Sequence, residues 1–321
     1  MGIFDKFSKK STDKESKEET EKEVEKEVSD NKVIDIKTAK SEDVQAEVNT
    51  ETVTEKPRTT RFTLVVDCIK ELGDKGVIVG GNLHGTINVH DKIFVLHPMF
   101  KESDVIEIDG IELLEKDNLG QGEKVEFVSD KRVGLTISAI KDKNKAPKYS
   151  VVTNIIPQLT PHPKKPLDNP FLLGLTYEYP RLIQDRMFAD LFTFTVFSTG
   201  YLTPVELDKQ PVAAENGAMR IPQNSRVGFK LLSHPEHKDE KLLAVFTDFA
   251  ALGKWKALFE DGKSPNSIIL NFDKCAEIAL HNGGYIINPF GPAPVFVSKH
   301  NIEYAQKMKN DMDKKIAEDK K

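Results

Sequence analysis

The chain has 321 residues, with 46 Lys and Arg against 51 Asp and Glu and a formal charge of -5. That balance gives no general electrostatic footprint for nucleic acid, which needs a concentrated positive surface, so DNA is not an expected partner. A charged fraction of 30% and a mean hydropathy of -0.42 exclude a chain that is folded core throughout.

Residues 1–58 alternate Lys with Glu and Asp and carry only Phe4 and Phe7 as aromatics. Ordering costs on the order of 1 to 2 kcal/mol per residue, and so little apolar surface cannot offset it. A disordered charged tail is expected. The start of the chain lacks the apolar core of a secretory signal, and no apolar run approaches the roughly 20 residues that cross a bilayer. The expectation is a cytoplasmic protein with no transmembrane segment.

From 59 to 148 the pattern changes to short β-type runs: Arg61 to Ile69, Val77 to Val79, Gly85 to Val89, Lys92 to Leu96, Val105 to Ile108, Val125 to Val128 and Leu135 to Ala139. Glycine and Asp/Asn signals separate them, and no helix intervenes, which predicts a small closed all-β barrel. The segments DKGVIVGGNLHGTINVHDKIFVL, VIEIDGIELL and LGQGEKVEF resemble the second, β-barrel domain of translation factors of the elongation factor Tu type. Gly76, Gly80, Gly85 and Asp91 sit at matching places, while His90 and Glu123 replace the family's usual glycine and aspartate. The resemblance implies a barrel rather than a GTPase, since no GxxxxGK[ST] phosphate loop is present. In that family the barrel contributes to contacts with tRNA or the ribosome, so either is a partner to consider.

Pro157, Pro161, Pro163, Pro166 and Pro170 then punctuate the chain, and proline at this density predicts a semi-rigid linker over 149–168. An α+β domain is expected over 169–306. It begins with a helix around Pro180 to Val196, a strand near Tyr201 to Leu207, and a hairpin of Val227 to Leu232 with Leu242 to Phe246. Phe249, Leu252, Trp255 and Leu258 recur every three residues behind the capping candidates Thr247 and Asp248, predicting an amphipathic helix. Asp273 is the expected cap of a second helix, followed by strands Tyr285 to Asn288 and Pro294 to Val297. A charged helix from about Asn301 runs into a fraying end over 307–321.

Phe246-Thr247-Asp248 with Leu252 and Trp255, then Ile287-Asn288-Pro289 with Gly291, resemble the N-terminal domain of the enhanced-serine-sensitivity (SseB) protein family. No enzymatic reaction is assigned to that domain. The resemblance implies an SseB-like fold, and the family's name suggests an amino-acid-responsive sensor as one alternative function.

No catalytic motif is present: there is no GxSxG or HExxH, and neither Cys68 nor Cys275 lies beside a histidine. The two cysteines fall in different predicted domains, which fits a reducing compartment rather than a disulfide. His234 and His237 with Asp239 and Glu240 approach metal-ligand spacing, but Pro235 sits inside a predicted hairpin tip, and a solvated turn is the reading. No metal and no cofactor are expected. The binding candidates are Thr247, Asp248 and Asn288 at strand ends where loops gather, with Trp255, Tyr285 and Phe290 as crevice walls. The function read from this pattern is a non-enzymatic binding or adaptor protein with a protein partner; the alternative is docking on ribosome or tRNA. The oligomeric state is not legible.

Overall fold

The computed structural model describes residues 57–99, 104–159, 162, 165–213, 219–260, 262 and 264–319. The expected tail lies outside them apart from Pro57 and Arg58. Among the described residues no helix is long and apolar enough to cross a membrane.

Eleven strands make the first region: β1 Thr63–Val65, β2 Cys68–Glu71, β3 Val77–His84, β4 Thr86–Asn88, β5 Lys92–Leu96, β6 Val105–Glu107, β7 Gly110–Leu113, β8 Glu123–Val125, β9 Phe127–Ser129, β10 Arg132–Ile137 and β11 Val151–Thr153. Every pairing is antiparallel, in the order β6-β5-β11-β1-β3-β10-β7-β8, with β2 also on β3 and a separate β4-β9 pair. Alternation in Lys92–Leu96 turns Ile93 and Val95 inward, onto Leu64, Val79, Leu83 and Leu135. The ladder does not close directly. Its two ends, β6 and β8, are bridged across the β4-β9 pair, where Ile108 N–H donates to Asp91 O at 3.1 Å and Val89 N–H to Glu126 O at 2.9 Å. The sheet is therefore a curled half-barrel with a patched seam, rather than the continuous barrel expected.

Its curl depends on close backbone approach. A Cβ on Gly81 would lie 2.1 Å from the Val65 carbonyl oxygen, so β3 can bend across β1 only where the side chain is absent. The expected single strand Arg61 to Ile69 breaks at Val66-Asp67, so that β1 pairs with β11 and β2 with β3. The strand β7 is additional to the expected runs. β11 lies within the stretch expected as linker, and it fills the gap between β1 and β5.

Among the described residues that follow, Leu167 packs in a core of the second region and Asp168 bridges to Asp248. Gln158 and Asp168 exchange backbone hydrogen bonds at 2.8 and 3.0 Å, and Leu167 is buried. Asn169 then caps α1, Pro170–Leu182, accepting from Leu172 N–H at 3.0 Å, with Pro170 at the first helical position where its missing N–H costs nothing. Asp185 caps α2, Arg186–Ser198. The one helix expected over 180–196 is thus two, and the first starts ten residues earlier.

The strand β12, Gly200–Leu207, leads to the small pair β13, Val212–Ala213, and β14, Met219–Arg220. β12 lies between β15, Val227–Phe229, and β18, Ser267–Asn271. The second sheet has the order β16 (Leu231–Ser233), β17 (Lys241–Val245), β19 (Gly284–Ile287), β20 (Val295–Ser298). β17 and β19 are parallel, which requires a crossover; it is supplied by α3, Phe249–Leu252, and α4, Phe272–Leu280. A long α5, Lys299–Asp319, closes the described chain. The amphipathic helix expected from Phe249 stops after one turn at Gly253 and resumes as a 3₁₀ turn at Lys256–Phe259. Asn271, not Asp273, caps α4, while Asp273 pairs with Lys309 of α5.

Because β17 is covered on both faces, its sequence is continuously apolar rather than alternating. Leu243 and Val245 face a core with Tyr285, Ile287 and α4, and Leu242, Ala244 and Phe246 face a second core with Leu252 and Trp255. The first core continues into the half-barrel: Val65, Tyr149 and Val151 pack with Phe171, Leu172 and Leu175 of α1. Gly174 permits this. A Cβ there would already stand 3.1 Å from a Val151 methyl and 3.4 Å from a Val65 methyl.

Candidate functional site

Where the half-barrel meets the α+β domain, a recess of about 210 Å³ opens between them. Strand β1 contributes Thr63, β3 contributes His84, α1 contributes Leu173, Thr176 and Tyr177, and the β17 and β19 ends contribute Asp248 and Asn288. Arg61 stands at its mouth, donating to Asp168 through both terminal nitrogens at 2.7 and 3.0 Å and reaching to within 3.6 Å of Asp248. Burial raises the Asp168 carboxyl above its ordinary pKa, despite the Arg61 bonds that pull it down. Burial and the nearby Asp248 charge also raise the Tyr177 phenol.

Three of the sequence-derived candidates form one knot. Asn288 takes a left-handed backbone, φ 51°, which asparagine tolerates better than most residues. Its Oδ1 accepts Thr247 N–H at 3.0 Å, and its Nδ2 donates to the Thr247 hydroxyl at 3.0 Å. That hydroxyl donates to Asp248 Oδ2 at 2.9 Å, and Asp248 Oδ1 accepts Ala251 N–H at 2.9 Å. Asp248 and Asn288 line the recess; Thr247 is fully buried behind them. Trp255 is 2% exposed, with its ring 4.8 Å from Phe290 and 6.2 Å from Phe246. Tyr285 packs 5.9 Å from Tyr201 in the core on the opposite face of the sheet. The six candidates are therefore not one constellation: two line the recess, three pack or bond behind it, and Tyr285 is elsewhere.

Arg61, Thr63, His84, Tyr177 and Lys254 were missed, because they come from separate elements joined only by domain docking. His84 stacks on Tyr177 with centroids 4.2 Å apart and bonds Glu178 at 2.9 Å, a carboxylate partner 94 residues away. Glu178 also accepts from Asn82 at 3.2 Å and Arg181 Nε at 2.6 Å. Arg181 continues to Asp67 at 2.7 Å, which Arg132 grips through both terminal nitrogens at 2.8 Å. Burial raises the pKa of Glu178 and of Asp67, but the surrounding His84, Arg181 and Arg132 outweigh it, and both carboxyls end below their ordinary values.

Asp67, Cys68 and Asp117 are the described residues with metal-like spacing, their donor atoms within 4.8 Å of one another. The Arg132 guanidinium already bonds all three, and the Cys68 thiol is pushed up to about 12 by burial and Asp67. A protonated thiol beside an arginine is a poor donor set for a metal. His234 spends its Nδ1 on the backbone N–H groups of Glu236 and His237, at 3.1 and 3.0 Å.

No protein-family model matches the chain, and no curated protein does. Among solved structures, GDP-bound aIF5B from Aeropyrum pernix aligns at 16% identity and a TM-score of 0.23 over 30% of this chain. A bacterial selenocysteine-specific elongation factor, EF-Sec, aligns at 14% identity and a TM-score of 0.25 over 48%. The chain covers 16% and 18% of those two structures, and at such scores the likeness carries no functional argument.

Proposed function

We propose that the chain is a non-enzymatic binding protein of the cytoplasm, in which a translation-factor-type curled sheet and an SseB-like α+β domain act as one unit and present the recess between them to a protein partner. The observation that carries this reading is the recess itself. It is concave and largely apolar, it is built from both domains, and one wall is the helical turn on which Phe249 is 47% exposed. The hydrogen-bonded meeting of Phe246-Thr247-Asp248 with Ile287-Asn288 supports grouping the second domain with SseB-type domains. In a capture assay with the full chain, Phe249→Ser is expected to abolish recovery of a discrete partner without lowering Tm. Equal recovery by wild type and variant sinks the reading.

Docking on ribosome or tRNA through the half-barrel is the second reading, favoured by the glycine-turn pattern that resembles elongation factor Tu. Against it, residues 59–153 hold 13 Lys and Arg but 15 Asp and Glu, too few cations for a phosphate-tracking face. Co-sedimentation with ribosomes that falls steeply with added salt would favour it over the first.

A further inference from the structure

The polar groups around the recess divide into those already engaged within the protein and those left over. The acceptors are engaged. Asp168 has both oxygens on Arg61, Asp248 has both oxygens on Ala251 N–H and the Thr247 hydroxyl, and Asn288 Oδ1 is taken by Thr247 N–H. The groups left over are two hydroxyls, which donate as well as accept, and an ammonium, which only donates. The Thr63 hydroxyl, on a residue 1% exposed, has no hydrogen-bond partner among the described residues. The Tyr177 ring is held by its stack on His84, yet its hydroxyl makes no hydrogen bond, and the exposed Lys254 ammonium makes no hydrogen bond or ion pair among the described residues. A buried hydroxyl without a partner is destabilising, and the place of Thr63 in the recess lining points to an acceptor supplied from outside.

From this imbalance, and resting on the reading of the recess as the binding surface, we propose that it takes a carboxylate carried on a short apolar body, with Lys254, Tyr177 and Thr63 as its donors. The walls Phe62, Ile155, Leu173, Ala250, Ala251 and Pro292 suit hydrocarbon. At about 30 Å³ per water, 210 Å³ is room for about seven waters, or a carboxylate with a body of about four or five carbons. A phosphate dianion is disfavoured relative to a monoanionic carboxylate, because repulsion from Asp168 and Asp248, which share Arg61 as counter-ion, grows with the ligand's charge. The same chemistry is presented by a free small acid and by the C-terminus of a polypeptide ending in an aliphatic residue.

Calorimetric titration of the full chain with isovalerate, isovaleramide, acetyl-Gly-Leu, acetyl-Gly-Leu-amide and inorganic phosphate tests this. At least one carboxylate is expected to bind saturably, at least tenfold tighter than its amide and than phosphate. Isovalerate binding assigns a free acid; binding of acetyl-Gly-Leu alone assigns a chain terminus. Lys254→Gln, an exposed position that the fold does not depend on, is expected to weaken the carboxylate at least tenfold, and Thr63→Val, nearly isosteric, about threefold or more. Amides binding as well as acids, no binding by either acid, or Lys254→Gln binding like wild type overturns the proposal. The capture assay with Phe249→Ser is read separately, so loss of carboxylate binding with retained partner capture would remove this inference and leave the reading of the recess standing.

Discussion

The half-barrel and the α+β domain meet in two places that use the same residue types to opposite effect. At the first, Asp67 and Glu178 are each met by more than one positive or donating side chain, Arg132, Arg181, His84 and Asn82, and their carboxyls are held below the ordinary range. At the second, one guanidinium, Arg61, serves both Asp168 and Asp248, and the Asp168 carboxyl is raised instead. Burial is outweighed at the first contact, where Arg132, Arg181 and His84 surround the two carboxylates, and is not outweighed at Asp168, which has Arg61 alone.

The largest expected effect comes from breaking the joint by volume. Gly174→Leu forces a side chain onto Val151 and Val65, at a cost of about 3 kcal/mol, and denaturant unfolding followed by circular dichroism is expected to split into two transitions. Next is Arg132→Leu, which leaves Asp67, its side chain 7% exposed, with Arg181 alone; a loss of about 2 kcal/mol is expected in urea. Arg61→Leu should cost less, about 1 kcal/mol, because Arg61 is 45% exposed and its pair is screened by solvent. The ranking fails if Arg61→Leu costs more than Arg132→Leu.

The smallest effect is a slope. Asp67 and Glu178 have folded pKa values below their unfolded ones, so their contribution is fully present above pH about 4 to 4.5 and is lost as pH falls through the folded values. Asp168, with a raised folded pKa, acts in the opposite sense and stabilises slightly on acidification. Unfolding free energies between pH 7 and 3 should fall on the acid side, and Glu178→Gln should flatten that fall, whereas Asp168→Asn should not.

Much of this was readable in the sequence where the signal is local. Lys92–Leu96, β12, β17 and β20 follow from runs and alternation that lie within a few residues. Asp248 shows itself as a cap because the oxygen and the N–H it serves are three residues apart. The failures share another cause. Phe249 to Leu258 keeps helical spacing, yet Gly253 ends the helix after a turn, and tertiary burial of Trp255 sets the path that follows. Asn271 takes the cap, accepting Lys274 N–H, because the helix starts at Phe272 and so holds Asp273 inside its first turn, where it pairs with Lys309. The recess residues Arg61, Thr63, Tyr177 and Lys254 have no shared pattern at all, since docking of α1 on the half-barrel creates their proximity.

The strand β11 has a consequence for how the chain folds. Leu64 pairs with Val152, nearly the whole length of the half-barrel away, and β5 pairs with the other side of the same strand. Loop closure of that span must precede the contacts that reward it, which makes this the slow, high-contact-order step. Until residue 153 is available, β1 and β5 each present an unpaired edge rich in apolar side chains, the kind of edge that recruits a second chain. A fragment ending at 148 is expected to self-associate, one ending at 156 less so, and during synthesis the interval between those two points is when the nascent chain is most open to aggregation.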